Sequence, residues 1–138
     1  TAVRRGGKEQ AIATAGTPAI ANLPMAVLVN AETASGAELL AAALQFHAKA
    51  RVVGKKTHGK WNVQTIEELP NKWAVKFTIG VFKSPAGEFL DGKGLSPDIE
   101  VDAGEARLEK LQRMTDPAAR LAADAQLRTA VSLLKLAP

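Results

Sequence analysis

The sequence predicts an α/β fold built around two short strands joined by a helix. Three observations carry that prediction. Met25-Ala26-Val27-Leu28-Val29 is a continuous apolar run, the pattern of a strand buried on both faces of a parallel sheet. From Ser35 to about Ala50 an Ala/Leu-rich stretch sets Leu39, Leu40, Ala43, Leu44 and His47 on one broad face at helical spacing. Arg51-Val52-Val53-Gly54 is a second short strand. Strand, helix, strand is a βαβ unit, whose crossover is right-handed.

The other elements follow in order. Residues 1–23 read as a basic loop rich in Gly, Ala, Thr and Pro, with Thr17-Pro18 and Leu23-Pro24 as breakers. Residues 30–34 form the turn into the helix, and 55–60 a Lys/Gly-rich loop. Residues 63–68 are a strand, and Leu69-Pro70-Asn71-Lys72 a turn. Residues 73–82 alternate, with Val75, Phe77, Ile79 and Val81 on one side and Lys76, Thr78 and Gly80 on the other. That period marks a half-buried strand, paired with 63–68 as a hairpin. Ser84-Pro85-Ala86-Gly87 is a turn, Gly92, Gly94 and Pro97 mark an irregular loop, and Ile99-Glu100-Val101 is a last short strand. A helix with Leu108 and Leu111 runs over 105–114. Asp116-Pro117 then supplies an N-cap acid with proline at the first helical position. Leu127, Ala130, Val131 and Leu134 keep helical spacing and are expected to dock on the core.

Composition bounds the function. At 138 residues the chain is one domain that buries about two-thirds of its unfolded surface. An apolar fraction of 46% with 23% charged residues is that of an ordinary globular protein. No apolar run reaches the ~20 residues that cross a bilayer, so stable membrane insertion is not expected. The absence of cysteine excludes a disulfide framework, a thiol nucleophile and a thiolate metal site. Two histidines without a close acidic cluster predict no metal, and no cofactor is expected. The net charge is +4, but its basic residues are scattered apart from Arg4-Arg5 and Lys55-Lys56. Without a compact basic stripe and interleaved aromatics, nucleic acid is not an expected partner.

Two segments carry chemistry: Asn30-Ala31-Glu32-Thr33-Ala34-Ser35-Gly36-Ala37-Glu38 and Thr57-His58-Gly59-Lys60-Trp61-Asn62-Val63-Gln64. A serine hydroxyl attacks only when a base takes its proton. Between a buried strand and a helix N-terminus, Ser35 projects above the sheet edge. The N–H of Gly36 and the helix dipole face the oxyanion that its attack creates. The local residues equally fit Ser35 as a plain N-cap, with Glu38 three residues on completing a capping box. Lys60 is a base only when neutral. Its ordinary pKa is about 10.4, so that role needs an apolar setting; otherwise it is a solvated loop lysine like Lys55 and Lys56. Gln64 is uncharged and can orient the amine without raising its pKa. His58 is close enough in sequence to be a rival base, whereas His47 reads as a core or boundary residue. A Ser–His–Asp triad lacks an evident acid. Trp61 and Trp73 read as packing residues.

In four blocks the chain resembles the C-terminal processing peptidases, or tail-specific proteases. Val27-Leu28-Val29-Asn30 through Ser35-Gly36-Ala37-Glu38-Leu39 resembles the nucleophile segment, and Val52-Val53-Gly54-Lys55-Lys56-Thr57-His58-Gly59-Lys60 through Gln64 the lysine segment. Val75-Lys76-Phe77-Thr78 to Pro85-Ala86-Gly87 and Gly94-Leu95-Ser96-Pro97-Asp98-Ile99-Glu100-Val101 are similar to the strand, turn and closing block that follow. Asp124-Ala125-Gln126-Leu127, with Ala130 and Leu134, is similar to the terminal helix. The resemblance implies a ClpP/crotonase-like mixed sheet with flanking helices. Residues 1–104 would be the C-terminal part of the catalytic core and 105–138 a helical segment packed on it. It implies a Ser–Lys endopeptidase cutting protein or peptide substrates near their C-terminus. In it Ser35 is the nucleophile, Lys60 the general base, Gln64 the residue that orients the lysine and Gly36 an oxyanion donor. The implied location is the periplasm, the cell envelope, the secreted space or a plastid lumen, in a parent made with a signal sequence.

The chain departs from the family pattern in four places. Gly36 stands where alanine is usual, His58 where an aromatic is common, Trp61 where a small residue is common, and Lys72 where a turn glycine is usual. The family's PDZ domain and the Gly-Gly turn that gives the other oxyanion donor lie upstream of the matched blocks. Gly6-Gly7 is not in their context. The chain is therefore expected to be part of a longer protease and slow or inactive alone, with an open sheet edge that favours self-association into a homo-oligomer. The alternative reading is a non-catalytic peptide-binding or assembly module on the same fold, with Trp61 blocking the site.

Overall fold

The computed structural model describes residues 2–5 (as backbone), 7–11, 16, 23–102, 104, 109–111 and 113–136. The described elements are β1 (Ala2–Arg5), β2 (Lys8–Ala11), β3 (Ala26–Val29), α1 (Gly36–His47), β4 (Arg51–Gly54), β5 (Asn62–Glu68), β6 (Ala74–Lys83), β7 (Ile99–Glu100), α2 (Pro117–Ala123) and α3 (Ala125–Leu136). They form a mixed α/β fold with two sheets. One is antiparallel, in the order β2-β1-β6-β5; the other is parallel, in the order β3-β4-β7.

The predicted βαβ unit is present. β3 and β4 pair in parallel, Ala26 opposite Arg51 through Val29 opposite Gly54, with α1 between them in sequence. β7 adds to the other side of β4, and the Val52 N–H is bonded by Asp98 Oδ2 at 2.7 Å. α1 ends where Lys49, at φ 54°, turns the chain toward β4. The core joins Val29, Val52, Ala41, Ala42, Trp61 and Leu95, with Val27, Leu39, Phe82 and Leu90 packed against it.

Several expectations are corrected. Residues 1–23 are not all loop: β1 and β2 form a tight hairpin, with Arg5 opposite Lys8, and β1 also pairs with β6. The Lys83–Glu9 ion pair ties that hairpin to β6. A basic, Gly-containing segment reads as loop because its pairing partner lies about 80 residues away. β3 is not covered on both faces: Leu28 is exposed and only Val29 is fully buried. α1 buries Glu38, Ala41 and Ala42, while Leu40 is 60% exposed and His47 lies outside the core against Phe46. Small residues let the helix approach the sheet closely, and inward-facing donors draw Glu38 in with them.

The hairpin of β5 and β6 forms as expected, with a register shift at Val63/Gln64. Its outer half is not half-buried, however: Trp73, Val75, Phe77 and Ile66 are exposed, because among the described residues no element covers them. Trp73 therefore is not a packing residue, whereas Trp61 is. Of the predicted helix over 105–114, only 109–111, 113 and 114 lie within the described residues, and Leu111 is buried. α2 begins at Asp116, which accepts the N–H groups of Ala118 and Ala119, with Pro117 at its first turn. A second cap, Asp124, interrupts the tail and starts α3, which packs on β3 and β4 through Gln126 and Ala130; Leu134 stays at the surface.

Candidate active site

Both chemistry-bearing segments leave the C-terminal ends of the paired strands β3 and β4. After β3 the chain makes an Asn30-centred turn: Asn30 Oδ1 accepts the N–H groups of Glu32 and Thr33, each at 3.1 Å. It then reaches Ser35, which caps α1 with φ 56° and ψ −123° and makes no side-chain cap hydrogen bond. A non-glycine residue held at such angles is strained, and strain of this kind collects at functional sites. A serine at a sharp strand-to-helix turn is lifted clear of the backbone around it. Among the described residues the Gly36 N–H has no acceptor, and the carbonyl of Ser35 takes the N–H of Glu38 at 2.9 Å.

Glu38 is the centre of the arrangement. Its side chain is fully buried. Oε1 accepts the Thr57 hydroxyl, the Gly59 N–H at 2.8 Å and the Trp61 indole N–H at 3.2 Å. Oε2 accepts the Ser35 N–H at 2.9 Å and the Lys60 N–H at 2.8 Å. Burial pushes the Glu38 pKa up, but bonds from the Thr57 hydroxyl and from the N–H groups of Gly59, Lys60 and Ser35 outweigh it. The carboxyl titrates below its ordinary 4.5. An ionised acceptor with that many donors is strongly held. The reach back to the Ser35 N–H belongs to the expected capping box; the rest of the carboxylate serves the lysine segment.

Further bonds fix the lysine segment. The His58 N–H donates to the Thr33 carbonyl at 2.9 Å, a direct link between the two segments. The Thr57 hydroxyl accepts the Leu95 N–H at 2.7 Å, and the Gly92 N–H donates to the Gly59 carbonyl at 2.8 Å. At Gly94, φ is 75° and an added Cβ would lie 2.1 Å from the Thr57 carbonyl, so the two loops touch only because glycine is there. The Trp61 N–H donates to Asp91 Oδ1 at 2.9 Å.

The backbones of Ser35 and Lys60 are thus pinned to one carboxylate oxygen. Their side chains face solvent, as does that of Gln64 on β5 beside the register shift. Among the described residues no hydrogen bond joins the Ser35 hydroxyl, the Lys60 amine and the Gln64 amide. The apolar setting expected around Lys60 surrounds its neighbour instead: Trp61 points into the core and does not block the site. Gly36 has open space where a Cβ would sit, so alanine fits there equally well. Sequence reasoning took Glu38 for a cap and missed its larger role. The signal was a glutamate on the inner face of a helix otherwise rich in Ala and Leu.

Residues 1–101 match the family described as Peptidase family S41. Over 132 residues the chain is 35% identical to a carboxyl-terminal-processing protease of Synechocystis sp., covering 96% of this chain and 29% of that protein. Over 79 residues it is 39% identical to a carboxy-terminal-processing protease of Bartonella bacilliformis, covering 57% of this chain and 18% of that protein. Among solved structures it is similar to a photosystem II D1 C-terminal processing protease, with a TM-score of 0.60 and 32% identity, over 75% of this chain and 26% of that one. The chain spans less than a third of the length of each.

Proposed function

Because the chain belongs to peptidase family S41, the family of the C-terminal processing peptidases, we propose that it carries the reacting groups of a serine endopeptidase that cuts proteins near their C-terminus. In this reading Ser35 is the nucleophile and Lys60 the general base, Gln64 orients the lysine, and the Gly36 N–H receives the oxyanion. The observation that supports it is the Glu38 carboxylate, which binds the backbone N–H groups of Ser35 and Lys60 with the same oxygen.

The neutral Lys60 amine takes the Ser35 hydroxyl proton as Oγ bonds to the substrate carbonyl carbon. The carbonyl oxygen, now negative, lies against the uncommitted Gly36 N–H at the positive end of α1. Lys60 returns the proton to the leaving amine, and water then releases the acyl group from Ser35 by the same route. A bound substrate chain, together with the rest of a longer parent, covers the Lys60 amine and lowers the dielectric around it. The parent also supplies a second oxyanion donor and a PDZ domain that captures the substrate tail. It works outside the cytoplasm, at the cell envelope or in a plastid lumen; among the described residues no helix is long and apolar enough to cross a membrane.

The test is cleavage of casein at pH 8–9 by the parent protease and by its Ser35→Ala and Lys60→Ala variants. Cleavage should vanish in both variants. Loss of a single oxyanion donor costs about 10²–10³ in rate, so the 138-residue chain alone should be slower by at least that factor. Cleavage that survives both substitutions would sink the reading. Peptide binding without turnover by the parent would favour a non-catalytic module.

A further inference from the structure

The C-terminal helix reaches under the site with one side chain. Asp124 accepts the Leu127 N–H at 2.9 Å and so fixes the first turn of α3, placing Gln126 against the sheet. Asp124 and Gln126 are both buried. The Gln126 amide nitrogen donates to the Val29 carbonyl at 2.8 Å and to the Val53 carbonyl at 2.8 Å. An amide NH₂ has two hydrogens, and here each is committed to one strand.

The position of those carbonyls matters. Val29 is the last residue of β3 and Val53 lies next to the end of β4, so Ser35 and Lys60 follow within a few residues. Beyond this point the strands are held together by the Lys55 N–H on the Val29 carbonyl at 3.1 Å, and then by the His58 and Glu38 bonds of the site. Gly54 lies between Val53 and the lysine loop with φ 137°. An added Cβ would sit 1.9 Å from the Val29 carbonyl oxygen and 2.1 Å from the Gln126 amide nitrogen. Gly54 thus leaves the space that the Gln126 amide occupies.

We propose that Gln126 is a positioning residue that clamps the ends of the strands bearing the nucleophile and lysine segments, so that docking of α3 sets the alignment of Ser35 with Lys60. The proposal rests on the roles given to Ser35 and Lys60 above. It extends the site to a helix that begins about 90 residues after Ser35 and packs on β3 and β4. A side chain without donors at this position takes one bond from each carbonyl and leaves the Lys55 N–H on the Val29 carbonyl to hold the strand ends beyond the ladder, so they loosen toward the two loops.

Gln126→Met keeps length and removes the donors. Amide hydrogen exchange of the 138-residue chain should speed up about tenfold or more over 30–38 and 55–61, with the β5–β6 hairpin unchanged. In the parent protease the same change should lower kcat by about 10²-fold with KM held within about twofold, as expected from a misplaced reacting group rather than lost binding. A folded Gln126→Met chain with wild-type exchange in both segments, or a parent variant with wild-type kcat, overturns the proposal. If Gln126→Met does not fold, Asp124→Ala, which loosens the first turn of α3 and keeps the donor, is judged by the same exchange criterion. Cleavage that survives Ser35→Ala defeats the reading of Ser35, while the exchange result still judges the clamp.

Discussion

At the scale of single residues, the site combines a strained serine with a buried carboxylate that holds it. Ser35 at φ 56° and ψ −123° occupies a region that suits glycine. Such strain is of order 1–3 kcal/mol, so Ser35→Gly should be more stable than Ser35→Ala by about 1 kcal/mol in urea unfolding. Equal stability would mean that the elbow is relaxed. Glu38 opposes the strain by binding the Ser35 N–H. Glu38→Gln turns an amide NH₂ toward donors and should cost about 2–4 kcal/mol, the range for losing charge-assisted bonds at a buried acceptor. The pH dependence has a definite sign. The folded pKa lies below the ordinary 4.5, so the carboxylate's contribution is complete above about 4.5 and is lost as pH falls through the folded value. The wild-type chain should lose stability on that acid limb, and Glu38→Gln should flatten it. An unchanged acid limb in the variant would assign the loss to other carboxyls.

At the scale of elements, the tryptophans separate the two ends of the β5–β6 hairpin. Trp61, just before β5, is fully buried in the core, and its backbone carbonyl takes the Phe82 N–H at 2.7 Å. Trp73, just before β6, is 71% exposed. Truncating Trp61 to alanine should cost about 3–5 kcal/mol, and truncating Trp73 less than about 0.5 kcal/mol. Acrylamide should quench Trp73 and leave Trp61 protected, so Trp73→Phe removes the quenchable emission. Strong quenching that persists in Trp73→Phe would show that Trp61 is not in the core. The alternation over 73–82 identified the strand correctly because period-two patterning is a local property. It overstated burial, because a strand is covered only where another element reaches it.

At the scale of the whole molecule, the sequence by itself determined the elements from β3 to β7 and the start of α2, in order, but not the hairpin of β1 and β2 or the break at Asp124. The apolar run before Asn30, the helical stretch after Ser35, Val52-Val53 and the Asp116-Pro117 start are local signals, and each produced its element. The residue blocks around Ser35 and Lys60 also pointed to the family, since they lie on contiguous stretches. Tertiary structure alone decided how those stretches meet. The inward turn of Glu38, the contact of Gly94 with the Thr57 carbonyl, the pairing of β1 with β6 and the reach of Gln126 to Val29 and Val53 join residues from about 20 to about 100 positions apart. Sequence periodicity reports which face of an element is apolar. It does not report which donors wait on the opposing element, and here those donors turned a glutamate inward and left Leu40 at the surface.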